Sequence, residues 1–229
     1  MTNILFVCGF NTHPEEQNGT DLYCPFDIYF NFSDYKLNYF RYKTTEDLFD
    51  VYRRLKDILD TKKHDLIITH SMGSCLVMKY IHETQDKRSC IMCMPFIHTS
   101  FINKLMSNIP LLEHLYIPKC CLIPNHKTFD GGNIFNDNFS LIYCNQIKTS
   151  IKHFFLPDEQ LVETINTNNI QIICASDEFI SPVDPIILSQ IKTEKLSYSA
   201  GKHVSFCNSY RMSIFFDKLT NILRNKKMK

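Results

Sequence analysis

Short apolar runs and longer amphipathic stretches alternate along the 229 residues of the chain. Runs of four to six largely apolar residues predict β-strands at residues 4–8, 37–42, 66–69, 90–94, 170–174 and 196–199. Apolar side chains at three- and four-residue intervals predict helices at residues 45–59, 72–82, 158–166, 185–192 and 210–223. Strands alternating with helices predict an α/β fold with a mostly parallel central sheet flanked by helices.

Two segments of this pattern allow more than one interpretation. Residues 21–32 fit both a helix and an alternating strand, and the strand–helix rhythm of their surroundings favours a helix. Helix 45–59 is expected to be capped by Thr44 or Thr45, which places Glu46 and Asp47 in its first turn.

One segment interrupts the alternation. Residues 95–153 are rich in proline, phenylalanine, isoleucine and leucine, and the segment is too long for an ordinary loop. We therefore expect a single domain, residues 1–229, with a helical or irregular cap inserted at about 95–153 over the strand ends. Phe96 and Phe101 are candidates for an apolar substrate pocket, with His98 as a candidate substrate contact. Ordinary packing of the cap on the domain is the alternative.

Composition excludes some classes of function. The formal net charge of +1 offers no broad basic surface for nucleic acid. No apolar run approaches the roughly 20 residues that cross a bilayer, and the first residues resemble a strand rather than a signal peptide. The ten cysteines lie mostly in apolar segments, which predicts reduced thiols, and Cys90 and Cys93 lack a second ligand pair for zinc. These features predict a cytoplasmic protein without a metal.

The most informative motif follows the third predicted strand. The sequence Thr69-His70-Ser71-Met72-Gly73 joins that strand to a helix through a sharp turn. A serine in such a turn projects its hydroxyl from the sheet edge, where it can act as a nucleophile. A serine at this place can also be a simple helix N-cap, so the motif alone leaves both roles open.

A nucleophilic serine needs a base, and the base needs an orienting group. Asp177 follows the strand 170–174, and His203 follows the strand 196–199. Because the carboxyl ends of parallel strands share one edge, both side chains are expected near Ser71. Glu178 is the alternative to Asp177, which lies nearer the strand end.

Attack of such a serine on a carbonyl also needs two backbone N–H groups that stabilise the oxyanion. The Met72 N–H at the start of its helix is one candidate. The Phe10 N–H is the other, since Gly9 lets the backbone after the first strand turn inward.

With this Ser…Asp…His order, the chain resembles the α/β-hydrolase superfamily over nearly its whole length, most closely minimal serine hydrolases without the leading β-hairpin. The resemblance implies Ser71 as nucleophile, His203 as general base and acid, Asp177 as orienting anion, and Phe10 and Met72 as oxyanion-hole donors. Thr69 replaces the usual first glycine of the motif.

Other features qualify the resemblance. Cys8 precedes Gly9 where a histidine is common, and His70 is interpreted as a packing residue. The excess of asparagine, isoleucine and lysine over alanine and glycine also resembles giant-virus proteins, among which α/β hydrolases of the mimivirus type occur. A viral origin would place the protein in the host cytoplasm or the virion.

The resemblance implies a serine hydrolase that cleaves a carboxylic ester or thioester with an apolar acyl group and needs no cofactor. The expected partner is this small-molecule substrate, with no nucleic acid and no membrane span, and the oligomeric state is open. Two alternatives remain: a peptide or amide hydrolase, for which the sequence shows no charged clamp, and a catalytically inactive binding protein with the same fold.

Overall fold

A computed structural model describes residues 2–10, 12–17, 19, 21–31, 34–98, 116–118, 141–143, 145–176, 183–201, 203–204, 206 and 211–227. Eight strands lie in this part of the chain: β1 (Thr2–Val7), β2 (Tyr35–Phe40), β3 (Leu66–His70), β4 (Ser89–Cys93), β5 (Tyr116–Pro118), β6 (Leu141–Tyr143), β7 (Ile170–Ala175) and β8 (Leu196–Ser199). The α-helices are α1 (Cys24–Asn31), α2 (Leu48–Thr61), α3 (Gly73–Thr84), α4 (Asn145–Thr149), α5 (Asp158–Thr167), α6 (Pro185–Gln190) and α7 (Met212–Lys227).

Six of these strands form one sheet in the order β2-β1-β3-β4-β7-β8. All of its neighbouring pairs are parallel, so the carboxyl ends of the six strands lie along one edge. The predicted strands and the predicted fold class are confirmed, each strand within two residues of its expected bounds.

Apolar side chains of the sheet alternate between two buried layers, as the period of two in a strand requires. Leu5, Val7 and Ile67 pack with α2, α3, α5 and α6 on one face. On the opposite face Ile4, Phe6 and Ile68 pack with α1 and α7. The central strands are therefore covered on both sides, which explains why they are apolar throughout.

The structure resolves the ambiguity at residues 21–32 and corrects the predicted start of α2. Residues 21–32 do contain a helix, but it begins at Cys24. The predicted Thr44 or Thr45 cap of α2 is wrong, because Asp47 is the N-cap and its carboxylate accepts from the Phe49 and Asp50 N–H groups at 2.9 and 3.2 Å. A carboxylate with two such bonds displaces the neighbouring threonines from that role.

Most of the predicted cap lies outside the described residues. Within it, β5 and β6 form a separate antiparallel pair, and α4 is followed by one π-helical turn, Ser150–Phe154. The Gln146 amide of α4 donates to the Lys43 and Glu46 carbonyls at 2.8 and 2.7 Å, which fixes α4 to the loop before α2. The cap as a whole remains a prediction.

The cysteines of the described ranges, Cys8, Cys24, Cys75, Cys90, Cys93 and Cys174, are free thiols, as predicted for them. Among the helices of the described ranges, none has the length and apolar character needed to cross a membrane.

Candidate active site

Ser71 occupies a strained turn between β3 and α3. Its backbone φ is +50°, a left-handed conformation that non-glycine residues seldom adopt. The turn is tight because α3 begins directly against the end of β1: a Cβ on Gly73 would lie 2.5 Å from the Val7 oxygen and 2.6 Å from the Cys8 oxygen. Gly73 is thus required by close backbone approach, and Ser71 is held at the carboxyl edge of the sheet.

Two hydrogen bonds fix the backbone of this turn. The Ser71 N–H donates to the Cys93 carbonyl at 3.2 Å, and the Phe96 N–H donates to the Ser71 carbonyl at 3.0 Å. Both partners lie at or just beyond the end of β4, the neighbouring strand. A strained φ persists only where its surroundings determine it, and here the adjacent strand does so.

The structure brings Ser71 and His203 together across 132 residues of sequence. Their Oγ and Nε2 atoms are 2.7 Å apart, within hydrogen-bonding distance. His203 is buried, whereas Ser71 is half-buried and so reachable by a small molecule. This arrangement permits the imidazole to accept the serine proton during an attack.

Asp177 and its alternative Glu178 lie outside the described residues. The strands that lead to the predicted acid and base are nevertheless joined: the Ser176 N–H donates to the Ser199 carbonyl at 2.9 Å, and the Gly201 N–H donates to Ser176 Oγ at 3.1 Å. Gly201 has a φ of +113°, which only glycine adopts without strain. The third member of the triad stays a prediction.

The predicted oxyanion donors flank Ser71. Met72 directly follows it and is the N-cap residue of α3, at the helix end where N–H groups have no acceptor within the helix. Phe10 follows Gly9, whose Cα approaches Ser71 so closely that a Cβ on Gly9 would lie 3.0 Å from the Ser71 Cβ. The Phe10 role, like that of Met72, remains a proposal.

The unusual Thr69 has a partner. Its hydroxyl is 2.7 Å from Ser74 Oγ on α3, and both side chains are fully buried. A threonine therefore fits the position of the missing glycine because the helix provides a matching hydroxyl. Burial raises the pKa of the neighbouring Cys8 thiol, which keeps this thiol protonated and unreactive.

His70 is more than a packing residue. It is buried, its Nε2 lies 3.1 Å from the His203 carbonyl, and its Nδ1 lies 3.0 Å from the Tyr23 hydroxyl. The same hydroxyl accepts from the Gly9 N–H at 2.8 Å. Sequence analysis missed Tyr23, and only its place in an apolar aromatic segment signals that it is buried.

Two of the three predicted pocket residues lie in the described part. Phe96 lies just beyond the end of β4 and packs its ring against Phe155 with 4.9 Å between centroids. His98 is buried, and its Nε2 lies 3.5 Å from the Asp158 carboxylate at the start of α5. Phe101 lies outside the described residues, so the pocket remains a prediction.

Among the described residues, no group of three or more His, Cys, Asp or Glu side chains could hold a metal ion.

Comparisons with known proteins find structural relatives only. No family model matches the chain, and no curated protein matches it significantly in sequence. One of two metagenome-derived lipolytic enzymes superposes with a TM-score of 0.57 at 11% identity, covering 97% of this chain and 94% of that one. Monoglyceride lipase from Saccharomyces cerevisiae gives 0.61 at 12% identity over 96% and 85% of the two chains.

A haloalkane dehalogenase from Agrobacterium tumefaciens is similar to the same degree, with a TM-score of 0.57 at 13% identity over 98% of this chain and 90% of that one. These likenesses extend over nearly the whole of each chain. The protein therefore has the α/β-hydrolase fold. Because the same fold occurs in lipolytic enzymes and in a dehalogenase, the function must be argued from the site.

Proposed function

We propose that the protein is a serine hydrolase that cleaves a carboxylic ester or thioester with an apolar acyl group. The observation that carries this proposal is the 2.7 Å contact between Ser71 Oγ and His203 Nε2 on a strained strand–helix turn. A serine that served only as a helix N-cap would require neither an imidazole at this distance nor a left-handed backbone.

The proposed reaction has two halves. Ser71 Oγ attacks the substrate carbonyl while His203 Nε2 takes its proton, and the Phe10 and Met72 N–H groups stabilise the oxyanion. His203 then protonates the departing alcohol or thiol, which leaves an acyl group on Ser71. Water, deprotonated by His203, attacks this acyl group, and collapse of the second intermediate releases the acid and restores the serine.

Asp177 is proposed to accept a hydrogen bond from His203 Nδ1. In this role it would hold the ring with Nε2 toward Ser71 and stabilise the imidazolium that forms in each half-reaction. A serine at the nucleophile position argues against dehalogenase or epoxide-hydrolase chemistry, which needs a carboxylate there.

The preference for an apolar acyl group rests on the surroundings of Ser71. Phe10 follows Gly9, which lies beside Ser71, and the Phe96 N–H bonds to the Ser71 carbonyl. Both side chains are partly buried and pack against the core layer that contains α2, α3, α5 and α6. The lipolytic enzymes and the monoglyceride lipase among the structural relatives are consistent with this class of substrate.

The test is covalent labelling with a fluorophosphonate, which reacts with an activated serine. The wild-type protein should be labelled, and Ser71→Ala should not. Ser189→Ala is the matched control, since this exposed serine on α6 donates only to the Ile186 carbonyl at 2.7 Å, and its labelling should equal that of wild type. Labelling that persists in Ser71→Ala would refute the proposal.

Turnover of acyl esters of increasing chain length, each with its matching anilide, then defines the substrate class. We expect ester and thioester turnover well above anilide turnover, because an amine is the poorer leaving group. Comparable rates on the anilides would favour a peptide or amide hydrolase. Tight binding of the whole ester panel without turnover would favour a non-catalytic binding protein.

A further inference from the structure

We infer that Tyr23 and His70 are positioning residues. Through a buried series of hydrogen bonds they fix the position of two loops relative to Ser71: the oxyanion loop, which carries Gly9 and Phe10, and the His203 loop. This inference rests on the proposed function and deepens it. Both side chains act on the site through backbone groups, the Gly9 N–H and the His203 carbonyl.

The chain of hydrogen bonds joins two backbone groups on opposite sides of Ser71. The Gly9 N–H donates to the Tyr23 hydroxyl at 2.8 Å, and this hydroxyl is 3.0 Å from His70 Nδ1. At the other side of the ring, His70 Nε2 is 3.1 Å from the His203 carbonyl oxygen. Gly9 precedes the proposed oxyanion donor Phe10, while His203 carries the proposed base.

The direction of each hydrogen bond follows from the acceptors. A carbonyl oxygen can only accept, so His70 Nε2 must carry the proton and donate to His203. In a neutral imidazole Nδ1 is then the acceptor, and the Tyr23 O–H donates to it. The Tyr23 oxygen accepts from the Gly9 N–H, so each of these hydrogen bonds has a defined direction. Burial lowers the pKa of His70 well below its usual value, which keeps the ring in this neutral form.

Both rings are fixed by packing on the face of the sheet that α1 and α7 cover. Tyr23 stacks on Phe206 with 5.9 Å between centroids, and Phe6 lies against it at 4.8 Å. Phe206 also meets the His70 ring edge to face at 4.9 Å. A hydroxyl and an imidazole held this rigidly transmit any shift of one loop to the other.

The position of His70 in the sequence explains why these hydrogen bonds can fix the geometry of the site. His70 directly precedes Ser71, and a Cβ on Gly9 would lie 2.9 Å from His70 Nδ1. The His70 ring thus contacts the oxyanion loop, the turn at Ser71 and the His203 loop. Small displacements of reacting groups lower the rate by large factors. Loss of the hydrogen bonds that fix their spacing should therefore lower kcat.

The experiment compares Tyr23→Phe, His70→Phe and His70→Gln in the full chain. Tyr23→Phe and His70→Phe keep an aromatic ring but break the chain of hydrogen bonds. We expect each to lower kcat on a p-nitrophenyl ester by about ten- to a hundredfold, with KM changed less than about threefold. His70→Gln retains a donor and an acceptor and should keep most of the wild-type kcat.

Tyr29→Phe is the matched control. The Tyr29 hydroxyl on α1 is 2.5 Å from Thr220 Oγ1 of α7, on the same face of the sheet. Losing this bond should leave kcat at the wild-type value. The double variant Tyr23→Phe/His70→Phe should lose no more activity than the worse single variant, since both break the same chain.

Hydrogen exchange of the Gly9 amide provides a second readout that needs no activity and also serves if His70→Phe does not fold. Exchange should accelerate in Tyr23→Phe and stay unchanged in Tyr29→Phe. A folded Tyr23→Phe with wild-type kcat, or with unchanged Gly9 exchange, would overturn the inference. Failure of the proposed function looks different, because the wild-type protein would then lack Ser71-dependent labelling and turnover.

Discussion

Gly9 is the residue at which the first strand comes closest to the turn that carries Ser71. A Cβ at this position would lie 2.9 Å from His70 Nδ1 and 3.0 Å from the Ser71 Cβ, closer than real Cβ atoms come to such neighbours or at that limit. Both neighbours are held by other contacts: the His70 ring bonds to Tyr23 and His203, and the Ser71 backbone bonds to β4. Neither can move away without disturbing the site.

We therefore predict that Gly9→Ala displaces Ser71 from His203 and lowers kcat/KM by about a hundredfold. The measurement is ester hydrolysis alongside the free energy of unfolding. Gly19→Ala is the matched control, because Gly19 has a φ of +84° but no atom within 4 Å of the added Cβ. Backbone strain at Gly19 should lower stability by about 1 kcal/mol and leave kcat/KM unchanged. Equal activity loss in both variants would contradict the argument from close approach.

Asp177 and Glu178 offer a second contrast between neighbouring side chains. If Asp177 orients His203, Asp177→Asn should lower kcat by about 10³- to 10⁴-fold, since an amide favours the wrong imidazole tautomer. Glu178→Gln removes the same charge one residue later and should change kcat by only a few-fold. Steady-state kinetics on one ester decides between them, and the reverse result would assign the orienting role to Glu178.

The secondary-structure elements differ in how much of them can be predicted from the sequence. The strands are predicted closely, because buried parallel strands leave short, continuous apolar runs between polar turns. The starts of α3, α5, α6 and α7 are predicted within two residues, but α2 begins three residues later than predicted. Several side chains in residues 44–47 are suitable helix caps. The backbone conformation that selects Asp47 depends on neighbours distant in sequence. One of them is Glu16, whose carboxylate accepts from the Thr44 N–H and hydroxyl at 2.8 and 2.6 Å.

The start of α2 gives a prediction on stability alone. Asp47→Ala should reduce the free energy of unfolding by about 1 kcal/mol, because two N–H groups in the first turn lose their acceptor. Asp47→Asn should retain most of it. Urea denaturation checks this, with Thr45→Ala as the control at the exposed residue that the sequence also suggested. A larger loss in Thr45→Ala than in Asp47→Ala would contradict the assigned cap.

The candidate site was predictable only where local pattern and sheet topology sufficed. Ser71 and His203 each follow a recognisable strand, and parallel topology brings strand ends together. The bridge from Tyr23 through His70 has no such local sign, since its hydrogen bonds span 14, 47 and 133 residues and depend on side-chain direction. Likewise Ser74 opposite Thr69 is visible only once α3 packs on β3.

At the level of the whole molecule, a neutral histidine buried at the end of β3 links folding to pH. Burial lowers the pKa of His70 in the folded protein well below its usual value of 6.5. The unfolded chain therefore binds a proton below pH 6.5 that the folded protein does not bind. Stability from this group is complete above pH 6.5 and decreases as the pH falls below it.

We predict that the free energy of unfolding decreases by about 1 kcal/mol between pH 7.5 and 5.5 through His70, as proton linkage gives for one site with an unfolded pKa near 6.5. His70→Gln should remove this part of the pH dependence while it keeps the hydrogen bonds. Burial also lowers the pKa of His64, so a smaller decrease of the same sign should remain in that variant.

Urea unfolding at both pH values measures the difference, and the interval stays above the pH at which the unfolded carboxylates titrate. An equal decrease in the wild-type protein and His70→Gln would mean that His70 accepts a proton in the folded state, which burial of the ring and the Tyr23 O–H donated to Nδ1 oppose.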